Sequence, residues 1–283
     1  MYVGKDGYLF EKFEYGEDEE NHLKRITAVV NKFANNVDIP VYFMLIPNSI
    51  YIHQDKLPNN VEVPNQRKII ENWYASLNEK ITPVEVTSIL EACKEQYTYF
   101  KTDHHMTSLG AYLVYAKMCL TMDKTPTTVA DTDYKTVSTT FLGTFDSKAQ
   151  IRNQETDRIS IFINEKNTDL KEVQYDKEST RSIYNTEYLT QKDKYSFFLN
   201  GNNAKVVVKT KVENGKKLLL IKDSYAHIMA QFLCQDYEEL HFIDPRYYKA
   251  SLSQYAKENA ITEILFLYNL SNMVQDLGLP TVK

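Results

Sequence analysis

Two stretches of the 283-residue sequence hold side chains whose types can do chemistry together, Asp103-His104-His105 and Lys222-Asp223-Ser224. A serine hydroxyl is a weak nucleophile until a base takes its proton, and that base needs a third group to orient it. In an extended segment residues i and i+2 point the same way. Asp103 and His105 can therefore face one cleft while His104 points elsewhere. Asp103 would hold the His105 Nδ1–H and free Nε2 to face Ser224. The chemistry of such a set is covalent acyl transfer.

Each half also has plainer readings. Asp or Ser directly before a helix is a common cap. Asp103 could bond backbone amides, and His104 could replace His105 as the base. Asp103, His104 and His105 could hold a metal, but adjacent histidines are expected to splay apart and no HExxH or similar ligand spacing lies nearby. The reading carried forward assigns no metal and no cofactor. His227 falls one turn beyond Ser224 and is expected to pack or cap, and His241 to be a satisfied core residue.

The elements that must position these residues follow from the hydrophobic pattern. The apolar run 218–221 ends at Lys222-Asp223-Ser224, and a helix is expected over 225–233. Ligands of open α/β sheets bind beyond the carboxyl ends of the strands. The Ser224 and Tyr225 N–H groups there are candidate donors to the oxyanion of a tetrahedral intermediate. The run 97–100 reads as a strand leading into Asp103, and 107–122 as a helix capped by Thr107 or Ser108. Further strands are expected over 41–46, 84–86, 240–243 and 264–267. Helices are expected over 18–35, 65–80, a short stretch to Lys94, and 247–256. Strands alternating with helices predict a mostly parallel sheet covered on both faces. Residues from about 125 to 210 instead alternate polar and apolar, with strands over 159–163 and 205–209. The expectation is one α/β domain over 1–283, carrying an antiparallel, β-rich insertion at 125–210.

Composition narrows the partners. With 33 basic and 38 acidic residues the net charge is −5, so an electrostatic footprint for nucleic acid is missing. The 21 tyrosines suit half-buried strand faces and sugar-binding grooves alike. Cys93, Cys119 and Cys234 are scattered and odd in number, which fits neither a disulfide framework nor a zinc pattern. No apolar run reaches the ~20 residues of a membrane span. The immediate entry into a strand-like Gly-Lys-Asp-Gly-Tyr-Leu-Phe favours removal of an export segment over a cytosolic protein.

Several stretches together resemble one family. Thr102-Asp103-His104-His105-Met106-Thr107 with Gly110-Ala111-Tyr112 looks like the signature of the DHHW protein family. Lys222-Asp223-Ser224-Tyr225-Ala226-His227, Ile243-Asp244-Pro245-Arg246-Tyr247-Tyr248, Gly7-Tyr8-Leu9-Phe10 and Leu57-Pro58 resemble its other motifs. That family is similar to the alginate O-acetylation proteins, of the SGNH (GDSL-like) hydrolase group. The resemblance implies an SGNH-like α/β fold and an Asp-x-His pair standing before the serine, carried onto Asp103, His105 and Ser224. It further implies an exported, membrane-anchored protein, with the anchor outside this sequence. Such a protein works beside a membrane-bound O-acyltransferase on a cell-surface or secreted polysaccharide.

Two positions depart from the family pattern: Met106 replaces a usual Trp, and Lys222 stands where the wider group often has Gly. Gly201-Asn202 resembles an oxyanion-donating element, or a turn. Arg246 is a candidate for a sugar or carboxylate, or for a brace with Asp244. The competing function is a non-catalytic glycan-binding or scaffold protein that keeps the fold without the chemistry.

Overall fold

The computed structural model describes residues 1–152, 154–176 and 178–282. Its strands in chain order are β1 (Tyr2–Val3), β2 (Leu9–Phe10), β3 (Val41–Ile46), β4 (Ile81–Val84), β5 (Tyr134–Phe141) and β6 (Asp157–Phe162). Then come β7 (Glu172–Gln174), β8 (Ser179–Thr180), β9 (Lys205–Lys209), β10 (Lys217–Lys222), β11 (Glu239–Ile243) and β12 (Glu263–Asn269). The helices are α1 (Glu17–Asn35), α2 (Ser49–Ile52), α3 (Gln66–Tyr74), α4 (Thr87–Ala92) and α5 (Ser108–Thr121). They continue with α6 (Thr144–Ala149), α7 (Glu165–Thr168), α8 (Ala230–Leu233), α9 (Leu252–Glu258) and α10 (Leu270–Met273).

An eight-stranded mixed sheet in the order β4-β3-β12-β10-β11-β9-β7-β8 organises the molecule. The five strands from β4 to β11 run parallel, and β9, β7 and β8 extend it antiparallel. The central parallel strands are apolar over most of their length because both faces are covered. In β10, Leu218 and Leu220 pack toward α5 and α8, whereas Leu219 and Ile221 pack toward α1, α3 and α9. Phe43 stacks on Phe266 at 5.2 Å and meets Trp73 edge-on at 4.5 Å on the second face. Strand β10 lies between β11 and β12, where the connections part to opposite sides. Its carboxyl end is thus a topological switch point, the place where α/β sheets open a crevice.

The β-rich stretch divides in two. β5 and β6 form a separate antiparallel pair, while β7, β8 and β9 join the main sheet. No helix among the described residues is long and apolar enough to cross a membrane.

The helix expected over 65–80 ends at Tyr74, and four further expected elements differ in the structure. The run 97–100 is not a sheet strand: Tyr99 makes a single antiparallel bridge to Met106. The intervening loop closes on itself through Phe100 N–H to His105 O (3.1 Å) and Thr107 N–H to Thr98 O (3.0 Å). The helix expected over 225–233 is a 3₁₀ turn, Ser224–Ala226, followed by the short α8. The Ser224 carbonyl accepts His227 N–H at 3.1 Å and, from 29 residues away, the Tyr195 hydroxyl at 3.1 Å, so α-helical winding does not start there. The strand expected at 84–86 is β4, three residues earlier. Pro83 is tolerated because β4 sits at the sheet edge, where a missing N–H costs no ladder bond. The helix expected over 247–256 starts only at Leu252, because Asp244 O takes the N–H groups of Tyr247 (3.0 Å) and Tyr248 (2.9 Å).

Helix α5 is capped by the Thr107 hydroxyl and rests against the 98–107 loop at Gly110. A Cβ there would lie 2.1 Å from the Thr98 carbonyl oxygen. Gly110→Ala is therefore expected to push α5 off that loop and destabilise the protein by about 1–3 kcal/mol, the usual cost of overpacking. Urea unfolding midpoints compared with wild type check this.

Candidate active site

The loop 101–105 is held from outside by an aspartate of β6. Asp157 is buried and accepts bonds from Lys101 N–H (2.8 Å), Thr102 N–H (2.8 Å), the Thr102 hydroxyl (2.5 Å) and the Tyr97 hydroxyl (2.5 Å). The start of α6 closes over the same loop, with Phe145 N–H on Thr102 O at 2.9 Å. So fastened, the loop turns Asp103 and His105 inward.

Asp103 Oδ1 accepts the His105 Nδ1–H at 2.6 Å and the His105 backbone N–H at 3.0 Å. Its Oδ2 accepts Thr144 N–H at 2.8 Å and the Thr144 hydroxyl at 3.0 Å. With Nδ1 protonated, His105 Nε2 is an acceptor, and the Ser224 hydroxyl lies 2.8 Å from it. The structure thus brings Asp103, His105 and Ser224 into one hydrogen-bonded row. Burial alone would raise the Asp103 carboxyl, but the neighbouring histidines and its hydrogen bonds outweigh burial and hold it below the ordinary carboxylate range.

Tyr195, which no pattern in the sequence singles out, lies flat on His105 with ring centroids 3.5 Å apart and planes within 8°. Its hydroxyl donates to the Ser224 carbonyl at 3.1 Å. Burial pushes that phenol well above its ordinary range, so it stays protonated. One side chain therefore fixes the plane of the imidazole and the turn bearing the serine.

His104 does not splay away from His105, contrary to expectation: the ring centroids are 3.8 Å apart. Its Nδ1 meets the Thr144 hydroxyl at 2.8 Å. Asp103, His104 and His105 accordingly place one ligand-type atom each within 4.8 Å of one another. The Nδ1 atoms of this set are engaged by Asp103 and Thr144, and His105 Nε2 by Ser224. Met106 is fully buried at the Trp-replacing position, and its backbone pairs with Tyr99.

On the serine side, Asp223 is the turn's anchor. It accepts Tyr225 N–H at 2.9 Å, Asn269 N–H at 2.8 Å and the Asn272 amide at 2.8 Å. This corrects one expectation: the Tyr225 N–H is spent on Asp223 and is no free oxyanion donor. The Tyr225 hydroxyl is likewise bonded, to the His104 carbonyl. Gly201 turns at φ 72 beside Ser196 and Asn202 is exposed. Among the described residues no hydrogen bond joins either to Ser224.

Arg246 takes the bracing role, with Nε 2.9 Å and Nη2 2.6 Å from the two oxygens of Asp244. Asp244 also faces Lys222 at 3.6 Å. Lys222 is buried, with its ammonium 2.7 Å from His227 Nε2. Burial pushes that lysine down to about 8, against the pull of Asp244. His241 is satisfied in the core by the Tyr255 hydroxyl (2.7 Å) and Glu239 (3.1 Å).

A cleft of about 190 Å³ opens beyond the carboxyl ends of β3 and β12, beside His104. His104, Asn48, Asn269, Asn272 and Phe145 line it, and the ion pair of Glu11 with Lys148 stands at its rim.

Residues 4–243 match the DHHW protein family. The chain belongs to that family. No curated protein matches the sequence significantly. Among solved structures it is similar to a DHHW family protein from Eubacterium siraeum, at 24% identity and TM-score 0.83, covering 98% of this chain and 92% of that one. It is also similar to Bacillus cereus PatB1, solved with a sulfonyl adduct, at 19% identity and TM-score 0.80, covering 100% and 99%. The O-acetyltransferase domain of Pseudomonas putida AlgJ follows at 10% identity and TM-score 0.60, covering 97% and 92%. The DHHW fold is thus the SGNH-like mixed α/β fold expected of the sequence.

The lowered Asp103 gives a pH dependence with a definite sign. A carboxyl whose folded value lies below its unfolded one contributes stability fully above the ordinary carboxylate range. That contribution is lost as pH falls through the range toward the folded value. Asp103→Asn is expected to unfold more easily at neutral pH and to lose less stability between about pH 6 and pH 3 than wild type. Urea midpoints across that interval test both.

Proposed function

We propose that the protein is a serine-dependent acyltransferase or acetylesterase acting on a polysaccharide. The observation that carries the reading is the row from Asp103 through His105 to Ser224, with bonds of 2.6 and 2.8 Å. That geometry lets His105 take the serine proton as Oγ attacks an acetyl carbonyl carbon. The proton then returns to the leaving alcohol as its C–O bond breaks. In the second half an acceptor oxygen, from sugar or water, attacks the acyl carbon. Its proton passes through His105 back to Ser224 as the acyl-serine bond breaks. The Ser224 N–H, first in its turn and not taken by the Asp223 cap, is the donor we assign to the oxyanion.

The sulfonyl adduct of PatB1 and the acetyltransferase domain of AlgJ, on the same fold, support this choice of chemistry. Sulfonyl electrophiles react with activated hydroxyls, and acetyl transfer from a serine ester is the reaction such a row performs. The family resemblance supports an extracellular or cell-surface setting, with an anchor and a membrane-bound O-acyltransferase as the acyl-supplying partner.

Purified protein treated with a sulfonyl fluoride or fluorophosphonate should be labelled at Ser224, and should cleave 4-nitrophenyl acetate. Ser224→Ala and His105→Ala should lose both. Asp103→Asn should retain the fold at neutral pH and lower turnover by about 10³–10⁴-fold, as in other triads that lose the orienting carboxylate. If wild type neither labels nor turns over ester above these variants, the enzymatic reading falls and the non-catalytic glycan-binding alternative replaces it.

A further inference from the structure

The hydroxyl of Thr144 has one proton and gives it to Asp103 Oδ2 at 3.0 Å. An ionised carboxylate can only accept, so the bond between Thr144 Oγ1 and His104 Nδ1 at 2.8 Å must be donated by the imidazole. His104 is thereby fixed with its proton on Nδ1 and a lone pair on Nε2. His105 has the same tautomer for the same reason, since its Nδ1–H is given to Asp103 Oδ1. The two rings thus offer two bare Nε2 acceptors. That of His105 is taken by the protein's own Ser224 hydroxyl. His104 keeps 27% of its side chain exposed and lines the cleft.

We propose that His104 is a substrate-binding residue whose Nε2 accepts a hydrogen bond from a sugar hydroxyl adjacent to the one that attacks the acyl-serine. The proposal rests on the acyl-transfer reading, and it names the acceptor class: a carbohydrate with a free vicinal diol. An attacking hydroxyl must point its proton at His105, and the 3.8 Å between the two rings puts the neighbouring hydroxyl of a diol in reach of His104. Water and simple alcohols engage only the first acceptor. Burial and the nearby His105 push His104 down to about 4, so it stays neutral and keeps its lone pair at neutral pH. Phe145, with its ring centroid 6.1 Å from that of His104, supplies an apolar wall for the sugar's C–H face.

The test acetylates Ser224 with 4-nitrophenyl acetate and measures how the acyl-enzyme divides between water and two added acceptors, cyclohexane-1,2-diol and cyclohexanol. Wild type should prefer the diol by about tenfold, the size of one hydrogen bond. His104→Phe should lose that preference, and His104→Gln, whose amide oxygen accepts, should restore part of it. No diol preference in wild type, or an undiminished one in His104→Phe, overturns the proposal.

A second arm needs no turnover. Histidine-¹⁵N spectra of Ser224→Ala should show His104 protonated on Nδ1, with its bare Nε2 resonance shifting on addition of the diol. A proton found on Nε2, or no shift at saturating diol, rejects the site. Failure of Ser224 to acylate, with the shift present, would sink the acyl-transfer reading and leave His104 as a diol-binding residue.

Discussion

Asp103 places a carboxylate that is only 2% exposed in the interior, and a buried charge is costly unless hydrogen bonds and opposite charge replace its water. Four donors from two regions of the chain meet that demand, two from His105 and two from Thr144. The approach is so close that a Cβ on Gly143 would lie 2.2 Å from the Asp103 Cβ, so only glycine fits before Thr144. Because the carboxylate cannot be satisfied by its own loop, the site exists only when α6 is docked on the loop. Asp157 of β6 ties that docking down by gathering Lys101 and Thr102. The β-rich stretch is therefore part of the site's foundation: Gly143, Thr144, Asp157 and Tyr195 all come from it.

The serine side solves a parallel problem with different means. Asp223 is fully buried and draws on its own turn, β12 and α10 for its donors. Immediately before it, Lys222 puts a cation in the same interior, opposed by Asp244 and shared with His227. Arg246 chelates Asp244 from the outside and so completes a chain of alternating charges that links β11 to the serine turn. Lys222 thus couples the turn to the loop after β11. Removing one member would strand a buried charge, which costs more than the intact set contributes.

Legibility in the sequence follows the range of the interactions. Strands β3, β10, β11 and β12 were readable from composition alone; Asp103 and His105 do meet, at 2.6 Å, but through the bends of their loop rather than the i, i+2 spacing of an extended segment. Where a long-range contact overrides local preference, the reading fails. A helix over 225–233 satisfies every local rule, yet the Tyr195 hydroxyl arrives from 29 residues away and occupies the Ser224 carbonyl. The run 97–100 has strand composition, but its neighbour is its own continuation at Met106 rather than a sheet. The role of Tyr195 had no signal at all, being one tyrosine among 21. His104 was misjudged because adjacent side chains diverge only in regular extended backbone, and the loop is not regular there.

The pairing of two imidazoles on one carboxylate has an electrostatic consequence. In the proposed reaction His105 becomes an imidazolium, and its charge is stabilised by Asp103 at 2.6 Å. A second positive ring 3.8 Å away would oppose that step. The arrangement avoids this by giving the His104 Nδ1–H to a neutral hydroxyl rather than to Asp103, whose nearest oxygen is 3.7 Å from it. The carboxylate's attraction is thus concentrated on the ring that must gain a proton. The ring that must not is held neutral by burial and by its neighbour, a lone pair still facing the cleft. Thr144 decides the difference, because its hydroxyl spends its proton on Asp103 and so can only accept from His104, bringing that ring no charge.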